Sequence, residues 1–317
     1  MAVNVVMVAQ AGRVAFEAAL AVATWVPAPG FRLWIAEPAP GPLWPEDPQV
    51  AGELRDWLVD RSDRMVTFES RHFGATYPHG NKIEALGALP EAEPFVFFDS
   101  DTVFLRGMDG VAFDFDRPTA SLRRGPSWPK VLPEGPTRAE IWRDLYARFG
   151  LKPLTDPTVP PDRWDHWAYF NAGWVFGPCP RRFGEAWARY ATAIRDAPEE
   201  VLEGQSLDPW LDQVALPLAI RATGGDVRRI DGLDGDVTCH WRTLPLAYAR
   251  EPQAVIDRIE AAAARPRLKK LLKRHPAFHR MLYRGGGAEV RALVGDSDVA
   301  DEAVLRRRLR DAWLWMR

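Results

Sequence analysis

Phe95-Val96-Phe97-Phe98-Asp99-Ser100-Asp101-Thr102-Val103-Phe104-Leu105-Arg106 runs four large apolar residues into two carboxylates and then turns apolar again. An unbroken run of this kind, bounded by Pro94 and Gly107, suits a strand buried on both faces, as in a parallel sheet covered by helices. Open sheets of that sort place their chemistry at the carboxyl ends of the strands, where Asp99 and Asp101 fall. Residues two apart in extended chain project to one side, so both carboxylates can face one point. Two such charges at the lip of a buried strand are costly to desolvate, and a hard divalent cation carrying a diphosphate relieves their repulsion. The alternative is a solvated Asp-x-Asp triplet in a loop, against which the preceding Phe-Val-Phe-Phe argues.

Upstream, Val3 to Ala9 reads as a buried strand, Gln10 to Arg13 as a turn, and an Ala-rich helix follows to about Trp25. The proline-dense stretch from Pro27 to Pro48 holds one short strand, Phe31 to Ala36. Val50 to Asp60 reads as helix, Met65 to Phe68 as a third strand, and Tyr77-Pro-His-Gly80-Asn81-Lys82 caps a helix ending near Leu89. This alternation argues for an α/β fold with a mixed, mostly parallel sheet flanked by helices. Downstream, Thr119 to Leu122 and Tyr169 to Phe176 read as strands, and Val237 to His240 as a short strand or its end. Ile141, Leu145 and Phe149 mark a helical face, as do Phe183, Trp187, Tyr190 and Ile194, and Leu211, Val214, Ala215 and Leu218. Lys152 to Trp167, polar and proline-rich, reads as a long surface loop. From Pro252 onward only helices are expected, which divides the chain into a catalytic domain at 1–250 and a basic helical extension at 251–317.

The 317 residues give ample core for one large domain or two smaller ones. With 41 Lys+Arg against 43 Asp+Glu, the net charge of -2 gives no global case for nucleic acid. The two cysteines, Cys179 and Cys239, lack metal-type spacing and point to a reducing cytoplasm. The first ten residues lack a basic leader and read as a strand rather than a signal peptide. No apolar run approaches the ~20 residues of a membrane span.

Further polar residues interrupt apolar surroundings. Asn171 lies in Tyr169-Phe170-Asn171-Ala172-Gly173-Trp174, where Ala-Gly lets backbone approach a ligand; a β-bulge with a satisfied core Asn is the alternative. Asp212-Gln213 can hold a pair of sugar hydroxyls or simply face solvent. His240 can add an imidazole to the two Asp oxygens, a set compatible with manganese, or be a structural histidine. Lys82, near a helix start, favours a bound anion or is an ordinary surface lysine.

Taken in order, a first strand with its turn, Lys82, Asp99-Ser100-Asp101, Phe170-Asn171-Ala172-Gly173, Asp212-Gln213 and His240 resemble the nucleotide-sugar glycosyltransferases of the GT-A fold, in particular the glycogenin and bacterial lipopolysaccharide galactosyltransferase group. The resemblance implies a GT-A-like fold and Mn2+ (or Mg2+) held by Asp99, Asp101 and His240. It implies a nucleoside diphosphate sugar donor, UDP-linked, and a carbohydrate or lipid-linked acceptor. Around the donor sugar it places Lys82, Asn171, Asp212 and Gln213, with Ala9 and Gln10 bordering the base and Ser100 within the metal motif. That group continues the histidine motif with Gly and Lys for the pyrophosphate. Here the run is His240-Trp-Arg-Thr-Leu-Pro245, so Arg242 stands in for the lysine.

Trp128, Trp164, Trp167 and Trp174 offer flat faces for sugar rings, and Trp164 or Trp167 is expected exposed near the acceptor. A haloacid-dehalogenase-like phosphatase competes: Asp99-Ser100-Asp101-Thr102-Val103 matches its nucleophile motif, and Gly295-Asp296-Ser297-Asp298-Val299-Ala300-Asp301 its distal metal motif. Its nucleophile strand is usually the first of the domain, however, and here nearly a hundred residues precede it. A sugar nucleotidylyltransferase should open on a Gly-rich basic loop, but Val8 to Arg13 has one glycine. A non-catalytic sugar-binding relative is the remaining class. Finally, Arg265 to Arg274 alternates cations with leucines, as a helix on an anionic membrane does, or as a solvated face whose leucines dock on the main domain.

Overall fold

The structure is a computed structural model that describes residues 2–123, 125, 128–295 and 301–316. Its first half alternates strands and helices: β1 (Val3–Val8), α1 (Arg13–Thr24), β2 (Phe31–Pro38), α2 (Gly52–Arg61), β3 (Arg64–Phe68), α3 (Asn81–Glu84), β4 (Phe95–Phe98), β5 (Thr102–Phe104) and β6 (Thr119–Leu122). There follow α4 (Arg138–Arg148), β7 (Phe170–Gly177), α5 (Pro180–Asp196), α6 (Leu211–Ala222) and β8 (Thr238–His240). The chain ends in helices: α7 (Leu244–Arg250), α8 (Gln253–Ala263), α9 (Pro266–Leu272), α10 (Pro276–Tyr283), α11 (Gly286–Val294) and α12 (Glu302–Asp311).

Six strands form one sheet in the order β3-β2-β1-β4-β7-β6. The first four run parallel, and β7 lies antiparallel to both β4 and β6. This is the expected mixed, mostly parallel sheet. β5 and β8 pair separately as a short antiparallel ribbon.

The strand sequences explain the layering. Along β1, Val5 and Met7 face one core while Val6 and Val8 face the other; along β4, Val96 and Phe98 divide from Phe95 and Phe97 in the same way. Residues that alternate between two apolar layers require helices on both sides. One layer is α1, α2 and the C-terminal helices; the other is built around α4, α5 and α6. The α5 stripe of Phe183, Trp187, Tyr190 and Ile194 is buried as its spacing predicts, and Thr137 and Glu140 close a capping box at the start of α4.

Two expectations change and one alternative is decided. The Tyr77–Leu89 helix is a single α-turn, α3, set between 3-10 turns. The aspartates do not sit in extended chain, because residues 99–101 make a turn that carries the chain from β4 in the main sheet to β5 in the ribbon. The leucines of the basic segment Arg265 to Arg274 turn to the protein core, as in the second of its two readings, and are not free for lipid. Leu268, Leu271 and Leu272 are buried in the core beside α1 and α2, while Arg267 pairs with Asp60, and Lys270 and Arg274 pair with Glu53. Burial of the leucines and the supply of acidic partners by α2 satisfy the segment within the chain. Among the described residues no helix is long and apolar enough to cross a membrane.

Candidate active site

The site forms where β4 ends. Asp99 leaves the sheet with its N–H donating to Gly173 O at 2.9 Å, so β7 fixes the first turn residue. Asp101 is fixed from the other side, its carbonyl accepting from Trp241 N at 3.0 Å next to β8. The β5/β8 ribbon pairs Thr102 with His240, which brings the imidazole over the turn. His240 Nε2 lies 3.0 Å from Asp101 Oδ1 and 3.7 Å from Asp99 Oδ2. One potential ligand atom from each of the three residues falls within 4.8 Å of the others. Two carboxylate oxygens and an imidazole nitrogen at this spacing suit a divalent cation such as Mn2+ or Mg2+. Gly173 makes the approach feasible, since a Cβ there would strike the His240 ring.

Lys82 connects this cluster to α6. Its Nζ lies 2.8 Å from Asp99 Oδ1, 3.0 Å from Asp99 Oδ2 and 3.3 Å from Asp212 Oδ2. Burial works against its charge, but the Asp99 and Asp212 carboxylates outweigh it and hold the ammonium above its usual range. Asp212, almost wholly buried, accepts from the Tyr77 hydroxyl at 2.7 Å. The aspartates themselves divide: burial, with Asp101 adding, raises Asp99, whereas His240 overcomes burial and lowers Asp101. His240 is raised, the neighbouring Asp101 carboxylate outweighing its burial.

Other expected residues lie beside the cluster with different partners. Asn171 is buried at a β-bulge opposite β6: its Oδ1 accepts from Gly173 N at 2.8 Å and from the Ser121 hydroxyl, and its Nδ2 donates to Leu122 O at 3.4 Å. These bonds shape the backbone around Gly173. Ala172 takes a left-handed φ of 56° at this bulge. Gln213 is half-buried and accepts from Arg123 Nη1 at 3.4 Å. Gln10 accepts from Asn81 Nδ2 at 2.7 Å, and Ala9 is buried at the end of β1. Ser100 donates to Glu17 Oε2 at 3.5 Å. Arg242 is drawn away to Glu302 on α12, 2.8 Å from its carboxylate. Of the four tryptophans, Trp128, Trp167 and Trp174 are buried, so only Trp164 keeps a partly exposed ring. A concavity of about 970 Å3 beside Leu132, Asp144 and Glu203 is lined by none of these site residues.

Sequence reasoning missed Glu17, Tyr77 and Arg123. Arg13 and Glu17 lie four apart, a spacing common for pairs on helix surfaces, yet α1 packs Glu17 beneath the turn. The Glu17 carboxyl is buried 2.6 Å from Arg13 and held well above its usual value, by burial first and then by Asp101 and Asp99. Nothing local to Tyr77 marks its partner Asp212, 135 residues away.

The distal phosphatase motif falls mainly on residues 296–300, outside the described residues; Asp301 caps α12. The Asp99 strand is fourth in sequence and central in the sheet, where that phosphatase class would have its first strand. Comparison with known families resolves the class. The chain belongs to the family of the Rhodobacterales glycosyltransferase domain, which matches residues 5–224, more than half of its length. It is therefore a glycosyltransferase. No match was found among curated proteins. Among solved structures it is similar to the galactosyltransferase LgtC in complex with donor and acceptor sugar analogs (12% identity, 82% of this chain and 95% of that chain, TM-score 0.44). It is also similar to the glycosyltransferase GlyE of Streptococcus pneumoniae TIGR4 (10% identity, 98% and 64%, TM-score 0.40).

Proposed function

We propose that the protein is a metal-dependent glycosyltransferase that moves a hexose from a nucleoside diphosphate sugar, UDP-linked, to a glycan or lipid-linked acceptor in polysaccharide biosynthesis. The observation that carries this reading is the convergence of Asp99, Asp101 and His240 beside the Lys82–Asp212 pair. Those three residues would hold Mn2+ or Mg2+, and such a cation supplies charge neutralisation for the leaving diphosphate. The remaining work falls to the chain itself. Lys82 brings a buried cation to the site, where negative charge grows as the sugar leaves. Asp212, oriented by Tyr77 and by its place on α6, and Gln213 beside it offer oxygens to the sugar, where positive character grows at the anomeric carbon. Gly173 admits the ligand close to the backbone while Asn171 holds that backbone in shape. Gln10, with Ala9 behind it, borders the base. Ser100 is the hydroxyl of the turn, and Arg242 reaches the diphosphate once it parts from Glu302.

Residues 1–250 make the donor site in this reading, and residues 251–317 brace it through α12. A cytoplasmic location belongs to this reading through the donor class.

Calorimetry or thermal shift against a panel of nucleoside diphosphate sugars, with and without Mn2+, tests the proposal. One donor should stabilise the protein only when metal is present, because a ligand that binds only the folded state raises its stability. Equal melting temperatures across the panel, with and without metal, would leave a non-catalytic relative as the better reading.

A further inference from the structure

Arg123 follows the last residue of β6, and its side chain reaches α6. The guanidinium lies 5.0 Å over the Trp210 ring, and Nη1 donates to Gln213 Oε1 at 3.4 Å. Those contacts are an aromatic face and a neutral amide; among the described residues no carboxylate lies within ion-pair distance of it. Burial nevertheless draws this cation's pKa below its usual value, Tyr169 opposes the shift, and Arg242 and Arg306 add to it. Glu302, the acid that acts on Arg123 from nearby, is already engaged by Arg242, Arg250 and Arg306. A cation partly withdrawn from water with no counter-charge is unfavourable unless a ligand brings one. The planar fork of a guanidinium matches two oxygens of a carboxylate or phosphate, and its place over the indole limits where the group can lie. Arg123 and Trp210 both remain partly exposed, so a ligand can reach the pair.

We propose that Arg123, laid on Trp210 and joined to Gln213, is an anion-binding subsite that recognises an acidic substituent, carboxylate or phosphate, on the acceptor sugar. The proposal rests on the proposed function, because Gln213 belongs to the acid–amide pair assigned to the donor sugar and so sets Arg123 beside the point of transfer. The Arg123–Trp210 pair is then a selector: acidic sugars are retained and their neutral counterparts are not.

The test uses the full chain with Mn2+ and UDP present and reads direct binding of matched sugars by ligand-observed NMR or calorimetry. Methyl glucuronide is compared with methyl glucoside, and glucose 6-phosphate with glucose; the pair with the larger difference identifies the carboxylate or the phosphate as the group recognised. At least one acidic member should bind about tenfold tighter than its neutral partner. That advantage should fall below about threefold in Arg123→Gln and return in part in Arg123→Lys, which restores charge but not the fork. Acidic and neutral members binding alike in the unmodified protein, neither binding at all, or an advantage that survives in Arg123→Gln each overturns the proposal. Donor binding is read separately with Mn2+ and without UDP, so its failure overturns the transferase reading and is distinct from a missing acid preference.

Discussion

Asp99 and Asp101 are shifted in opposite directions by what surrounds them, burial raising the first against the pull of Lys82 and His240 lowering the second against burial. This division gives the site its vulnerability to single changes. Asp99→Asn or Asp101→Asn should abolish metal-dependent donor stabilisation and lower transfer by at least about 100-fold, read by thermal shift and by product formation. Gly173→Ala places a methyl group against the His240 ring. It should weaken metal binding by about 10–100-fold, as disturbance around metal ligands commonly does, while the fold persists by circular dichroism. Unchanged metal affinity in that variant would remove His240 from the ligand set. Tyr77→Phe deletes the hydroxyl that orients Asp212. It should cost about 1–3 kcal/mol of stability, because the Asp212 carboxylate then loses a buried partner.

At the scale of elements, α12 is tied to the site by one carboxylate. Glu302 receives Arg242 from the loop after β8, Arg250 from α7 and Arg306 from its own helix. Although burial opposes it, these arginines lower the Glu302 pKa below its usual 4.5. A depressed folded-state pKa contributes stability that is present above the unfolded value and lost as pH falls through the folded one. Glu302→Gln should therefore lower stability by about 1 kcal/mol at pH 7. The difference between the two proteins should narrow below about pH 4.5, where the unfolded-state carboxyl begins to protonate. A gap in melting temperature that stays constant from pH 7 to pH 3.5 would show that the ion pairs are not its source.

At the scale of the whole molecule, the C-terminal helices share a core with the first helix. Leu268, Leu271 and Leu272 belong to the same buried cluster as Ala15, Ala18 and Leu58. We propose that residues 251–317, although a distinct segment in composition, unfold with the rest. Leu272→Ala should cost about 2–5 kcal/mol and shift a single thermal transition; two resolved transitions would mark an independently stable extension.

The strand and helix order, the two-faced burial of β1 and β4, and the position of the Asp99/Asp101 pair at the end of a buried strand were legible because apolar runs and period-3.6 stripes are local properties of the chain. The sequence could also carry the order of polar interruptions that marks a glycosyltransferase. It could not carry the partners. Glu17 under Ser100, Tyr77 on Asp212 and Arg242 turned to Glu302 each join residues brought together only by the folded sheet and its helices. The leucines of α9 illustrate the same limit. An amphipathic pattern states that one face must leave water, but whether it enters lipid or a protein core depends on what the rest of the chain presents to it. Residue type and spacing thus determined the elements and the candidate metal ligands. Three-dimensional packing decided the orientation and company of the site residues and the direction in which Asp99, Asp101 and His240 are shifted, because burial and Coulomb interactions depend on distances in space rather than along the chain.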